Sequence, residues 1–167
     1  MADTHMDQMA IESWESILRK IQDSYCKLIL ITGEGKTGKT TLLRQLVDQF
    51  QMPQINVGEE LSRKLLALEL DERPRQTDAL LAELIGQAGA DRVALDNTEI
   101  LFEPELALKP LEALKAVARS RLILATWNGR LTGTTLTFAA PGHPAHRVYP
   151  LDRHSDVLVH STEVIKP

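Results

Sequence analysis

One cysteine, Cys26, is all that the 167-residue chain carries, so no internal disulfide can form and the fold has to be held by its core. Its place beside an apolar run reads as a packed thiol in a reducing compartment, not as a nucleophile. No apolar run approaches the roughly 20 residues that span a bilayer, and the amino terminus lacks a basic region followed by an apolar one. The expectation is a cytoplasmic protein with no membrane contact. A basic tract is also missing: the formal net charge is −4 and the Lys and Arg residues are dispersed, which disfavours direct DNA binding. Internal repeats and low-complexity segments are absent. His143, His146 and His154 have no spacing suited to a metal and read as surface loop residues.

What the chain does have is apolar material, 43% of its residues, enough for one substantial core and too little for two ordinary domains. The expected organisation is a single domain over 1–167, with an amino-terminal helix over about 8–25 and a core over about 26–167. In that first helix Ile11, Trp14, Ile17, Leu18, Ile21 and Tyr25 recur at helical spacing, giving an amphipathic stripe that packs on the domain's own sheet or, in the competing reading, on a partner.

Strand and helix patterns then alternate. Apolar strands are expected at 27–32, 54–57, 92–96 and 121–126, ending near Asn128 and Gly129. Helices are expected over 41–50, around Leu61 to Leu68, from Thr77 and Asp78 to Gly89, and through Leu106, Leu111, Leu114 and Val117. Leu101 to Pro104 reads as a linker. Beyond residue 126, strands punctuated by Gly and Pro over 134–139, 147–151 and 157–160 look more antiparallel. The alternation predicts an α/β fold, a mostly parallel central sheet with helices on both faces and right-handed crossovers.

Between the first strand and its helix stands Gly33-Glu34-Gly35-Lys36-Thr37-Gly38-Lys39-Thr40, followed by Thr41. Glycines let the backbone curl, and its amides, with the positive end of the helix behind them, face an anion. Lys39 is placed to reach the β- and γ-phosphates of a nucleotide and the Thr40 hydroxyl to hold Mg²⁺. Asp96, an acid at the carboxyl end of an apolar strand, stands where a Walker B residue shares that Mg²⁺ with Thr40; a helix-capping Asp is the competing reading. Glu99 is the first candidate for positioning the attacking water and Asn97 the second, since an amide is a poor base. Either could be a solvated turn residue. Asn128 reads as a polar sensor at the next strand end, or as an Asn favoured before Gly in a turn. Trp127 lines the site or fills the core. Arg130, Arg121, Arg147 and Arg153 are weaker candidates for an arginine finger.

The glycine-rich loop, the block Ala94-Leu95-Asp96-Asn97-Thr98-Glu99-Ile100-Leu101-Phe102, the segment Ala125-Thr126-Trp127-Asn128-Gly129 and the turn Gly142-His143-Pro144 together resemble the BrxF family, the small P-loop proteins of type 3 BREX phage-defence systems. The resemblance covers nearly the whole chain. More broadly the sequence is similar to an AAA+-type P-loop NTPase core without a carboxyl-terminal helical lid. It implies ATP and Mg²⁺ as cofactors, slow ATP hydrolysis, other BREX proteins as partners and a nucleotide-dependent homo-oligomer. Asn97 in the usual Glu position and the missing lid argue against strong autonomous turnover. No Asn-Lys-x-Asp segment for guanine is present, which favours ATP over GTP. Two other readings stay open: a nucleotide-dependent assembly switch with vestigial hydrolysis, and a small-molecule P-loop kinase, the latter opposed by the lack of an arginine-rich lid.

Overall fold

The computed structural model describes residues 8–35, 37–151 and 157–162. Lys36, Arg153 and His154 lie outside the described residues. In chain order the elements are helix α1 (Gln8–Gln22), strand β1 (Leu28–Gly33), α2 (Lys39–Phe50), β2 (Gln54–Asn56), α3 (Val57–Leu66), α4 (Arg73–Gln87), β3 (Arg92–Asp96), α5 (Pro110–Val117), β4 (Leu122–Thr132), β5 (Thr135–Phe138), β6 (Arg147–Pro150) and β7 (Val157–Ser161). Two 3₁₀ turns, Thr98–Phe102 and Pro104–Leu106, join β3 to α5.

Five strands form the main sheet in the order β2-β3-β4-β1-β7, all neighbouring pairs parallel. A parallel sheet needs cover on both faces, so its strands read as continuous apolar runs; β1 is buried at every residue. Successive side chains take opposite faces. Leu28 and Leu30 join Val93, Leu95, Ile123 and Ala125 under α3, α4 and α5, which contribute Leu61, Leu65, Leu81, Ile85, Leu111 and Leu114. Ile29 and Ile31 join Ala94, Leu122 and Leu124 under α1 and α2, which bury Trp14, Leu18, Ile21, Leu43 and Leu46. Trp14, Leu18 and Ile21 of the α1 stripe are therefore spent on the domain's own sheet, whereas the helix ends at Gln22 and not near 25, leaving Tyr25 beyond it and exposed. Each leucine, isoleucine or valine among these core residues contributes about 1.5–3 kcal/mol when fully buried. This is an α/β architecture, a mostly parallel sheet with helices on both sides.

Several elements differ from the sequence expectation. Val57 begins α3 instead of ending β2, because the Asn56 side chain accepts the Glu59 amide at 3.1 Å and caps the helix. Helix α4 starts at Arg73, four residues before Thr77, with Pro74 in its first turn, where a missing N–H costs nothing. The expected linker is two 3₁₀ turns that bury Leu101, Phe102 and Leu106. Asn128 and Gly129 do not end β4, which runs on to Thr132 by pairing with antiparallel β5. The β4–β5 and β5–β6 pairings are antiparallel, whereas β7 returns to the opposite side of β1 and lies parallel to it.

Candidate phosphate-loop site

The carboxyl ends of the parallel strands bring together Gly33 on β1, Asp96 on β3 and Asn128 on β4. Because β4 is inserted between β1 and β3, Asn128 stands next to the loop and Asp96 one strand further out. Such strand ends are where ligands collect in open α/β sheets.

The loop delivers α2 with an unusual start. Its N-cap is Gly38, at φ 90°, which offers no side-chain acceptor, and no acid occupies the first turn. Only glycine takes that left-handed conformation without strain. The first-turn amides of α2 thus keep their positive end uncompensated by a cap, in contrast to α3 with its Asn56 cap and Glu59 and Glu60 in the first turn. An N-terminus built this way suits an anion supplied from outside. Gly35, Gly38, Lys39, Thr40 and Thr41 line a hollow of about 350 Å³ at this point. A larger hollow of about 770 Å³, lined by Asp78, Lys109 and Arg121 among others, lies between α4 and α5 and shares no residue with the loop.

Within the loop, buried Lys39 donates from Nζ to the Gly35 carbonyl at 3.0 Å. The Thr40 hydroxyl donates to Asp96 Oδ1 at 3.3 Å, so the structure does bring these two together. Asp96 Oδ1 also accepts the Thr126 hydroxyl at 3.0 Å and the Asn97 amide at 2.9 Å. A hydroxyl and a carboxylate are the hard oxygen donors that Mg²⁺ prefers. Among the described residues no group of three or more His, Cys, Asp or Glu side chains could hold a metal, so a Mg²⁺ ion here would complete its shell with phosphate oxygens and water.

Asn128 and Gly129 both oppose Gly33, a bulge in β4. Bulges re-aim side chains, and here Asn128 Oδ1 comes to 3.4 Å from the Gly35 amide. Arg130, two residues on, pairs with Glu34 in the loop at 3.1 Å. On the other side of β1, the Thr162 hydroxyl contacts the Thr32 carbonyl and the Thr37 hydroxyl, each at 2.8 Å.

Asn97 and Glu99 are placed differently. Asn97 is exposed and left-handed at φ 53°, a conformation that Asn tolerates better than most residues. Both line a separate hollow with Asn56, Gly58, Glu59 and Glu103, not the hollow at the α2 N-terminus. Trp127 is a core aromatic: fully buried, it packs edge-on against Phe102 and Phe138, and its indole donates to the Thr137 carbonyl at 2.8 Å. Arg121 is occupied at the opposite end of β4, donating to the Ile85 and Ala90 carbonyls.

Sequence reasoning missed Thr126 and Thr162. A threonine inside an apolar run looks like any β-branched strand residue, and the one signal for Thr126 was its position near the carboxyl end of such a run.

No family model matches the chain, and no curated protein matches it. Among solved structures, C. elegans PCH-2 aligns over 97% of this chain and 45% of its own at 17% identity, with a TM-score of 0.47. The chain spans less than half of that structure's length. Among the described residues no helix is long and apolar enough to cross a membrane.

Proposed function

We propose that the chain is a Mg²⁺-dependent ATP-binding protein that hydrolyses ATP slowly and acts within a multiprotein BREX-type anti-phage complex. The observation that carries the first part is the uncapped, acid-free start of α2, with Lys39 in the loop and Thr40 within 3.3 Å of Asp96. The loop from Gly33 to Thr41, Lys36 included, binds the phosphates through its backbone amides, and Lys39 moves from the Gly35 carbonyl to the β- and γ-phosphate oxygens. Thr40 and Asp96 hold Mg²⁺, which when bound neutralises charge on the phosphates. Asn128 senses the γ-phosphate from β4, and Glu99, with Asn97, orients water. The BREX setting rests on the sequence resemblance alone.

Slow turnover is supported by Asn97 in the usual Glu position, an amide being a poor base, and by Glu99 and Asn97 lining a hollow that shares no residue with the one at the start of α2. That placement also favours the second reading, an assembly switch in which ATP sets partner affinity. Single-turnover hydrolysis of γ-labelled ATP by the purified full chain separates the two. Phosphate release that is abolished in Asp96→Asn and reduced at least tenfold in Glu99→Gln supports the ATPase. Binding without any phosphate release supports the switch. Native mass with and without ATP and Mg²⁺ tests the homo-oligomer: a nucleotide-induced increase is expected, and an unchanged monomer would point to activation by a different protein.

A further inference from the structure

Glu34 is an oddity in a loop built to collect anions. Its carboxylate sits between Gly33 and Gly35, one residue from the amide that Asn128 contacts, and an uncompensated negative charge there opposes a phosphate. Arg130 supplies the compensation from another element: its Nη2 lies 3.1 Å from Glu34 Oε2. The mount is firm, because Arg130 faces Thr137 in the β4–β5 ladder and its carbonyl accepts the Thr137 hydroxyl at 3.3 Å. Both side chains are about half exposed, 51% for Arg130 and 44% for Glu34, so the pair adds little to folding stability. Its weight falls instead on whatever charge enters the loop.

We propose that Arg130 is a positioning residue for the phosphate loop, acting through Glu34: it neutralises the carboxylate and holds it off the anion site, and so sets affinity for a polyphosphate. This rests on the phosphate-binding reading of the loop. It differs from an arginine finger, in which the guanidinium touches the transferred phosphate itself.

The test is a suppressor experiment on the full chain, with affinity for fluorescent ATP and ADP analogues read in Mg²⁺ at low and at high salt. Arg130→Ala is expected to weaken ATP binding at least fivefold, ADP less, and both losses shrink at high salt as exposed charges are screened. Glu34→Gln in the Arg130→Ala background restores wild-type affinity, and Arg130→Lys retains most of it. Apo melting temperatures stay close to wild type in all three. A loss that persists in the double variant would overturn the proposal by placing Arg130 on the ligand. Unchanged or tighter binding in Arg130→Ala would overturn it as well. Those outcomes leave the loop reading intact, whereas equal affinity in wild type and Lys39→Ala, or no binding by wild type, would remove both.

Discussion

The Thr126 hydroxyl donates to Asp96 Oδ1 at 3.0 Å across the β4–β3 pair, and both side chains are buried. Together with the Asn97 amide at 2.9 Å, it fixes the carboxylate in the position from which it meets Thr40. A hydrogen bond to a charged group contributes about 1.5–3 kcal/mol. Thr126→Val should therefore lower the melting temperature by about 2–4 °C for each kcal/mol lost. It should also raise the Mg²⁺ concentration needed for nucleotide binding several-fold, and Thr126→Ser should restore both. Calorimetry and a Mg²⁺ titration check this; an unchanged Mg²⁺ midpoint would show that Asp96 needs no such anchor.

Gly129 lies where the β4 bulge brushes the hairpin. A Cβ there would run into the Thr137 carbonyl, the same oxygen that accepts the Trp127 indole. Gly129→Ala forces either the strand or the indole aside, and with overpacking and a lost hydrogen bond together the cost is about 2–4 kcal/mol. The urea midpoint should fall accordingly, with a changed near-ultraviolet signal from Trp127. A substitution that leaves both untouched would mean that β4 and β5 separate there without strain.

Phe102 stacks on Phe138 with ring centroids 3.4 Å apart and meets the edge of Trp127 at 5.1 Å. This trio ties the 3₁₀ turn after Asp96 to the hairpin. Phe102→Ala should cost about 3–5 kcal/mol, measured by urea unfolding, and a loss under 1 kcal/mol would show that the turn holds its place by backbone alone.

His160 on β7 lies against Trp14 of α1, ring centroids 4.9 Å apart, and burial lowers its pKa from the ordinary 6.5. The folded state thus favours neutral imidazole, and the unfolded chain takes up the proton first as pH falls. The fold loses stability from about pH 6.5 down to the depressed folded value, and nothing from this group above it. His160→Gln should flatten that part of the profile in thermal melts between pH 7.5 and 5. A variant as acid-sensitive as wild type in this window would assign the slope to other groups.

The parallel strands were readable because burial on both faces leaves near-continuous apolar runs, as in Leu28 to Ile31 and Leu122 to Ala125. The loop was readable because its glycines and Lys39 have few other uses in that order. Asp96 stood out as an acid ending such a run. What stayed hidden depends on pairing between distant segments. Asn128 and Gly129 carry a local turn preference, yet the β5 partner keeps the strand going and turns the pair into a bulge. The Gly and Pro residues between β5 and β7 suggest hairpins, and nothing local tells that β7 crosses to the far side of β1. Glu99 follows Asp96 closely in sequence, and only the 3₁₀ turn that begins at Thr98 determines that it lines a hollow with Asn56 and Glu103. Thr162 reaches the loop only because β7 lies beside β1.

The central claim is that the loop from Gly33 to Thr41 holds a nucleotide through its amides and Lys39. Isothermal titration of the full chain with ATP in Mg²⁺ tests it most directly, run beside Lys39→Ala with folding checked by circular dichroism. Saturable binding by the wild type, at least tenfold weaker in a folded Lys39→Ala variant, is the expected result. Equal affinity in the two proteins, or no heat of binding in the wild type at millimolar ATP, would contradict it.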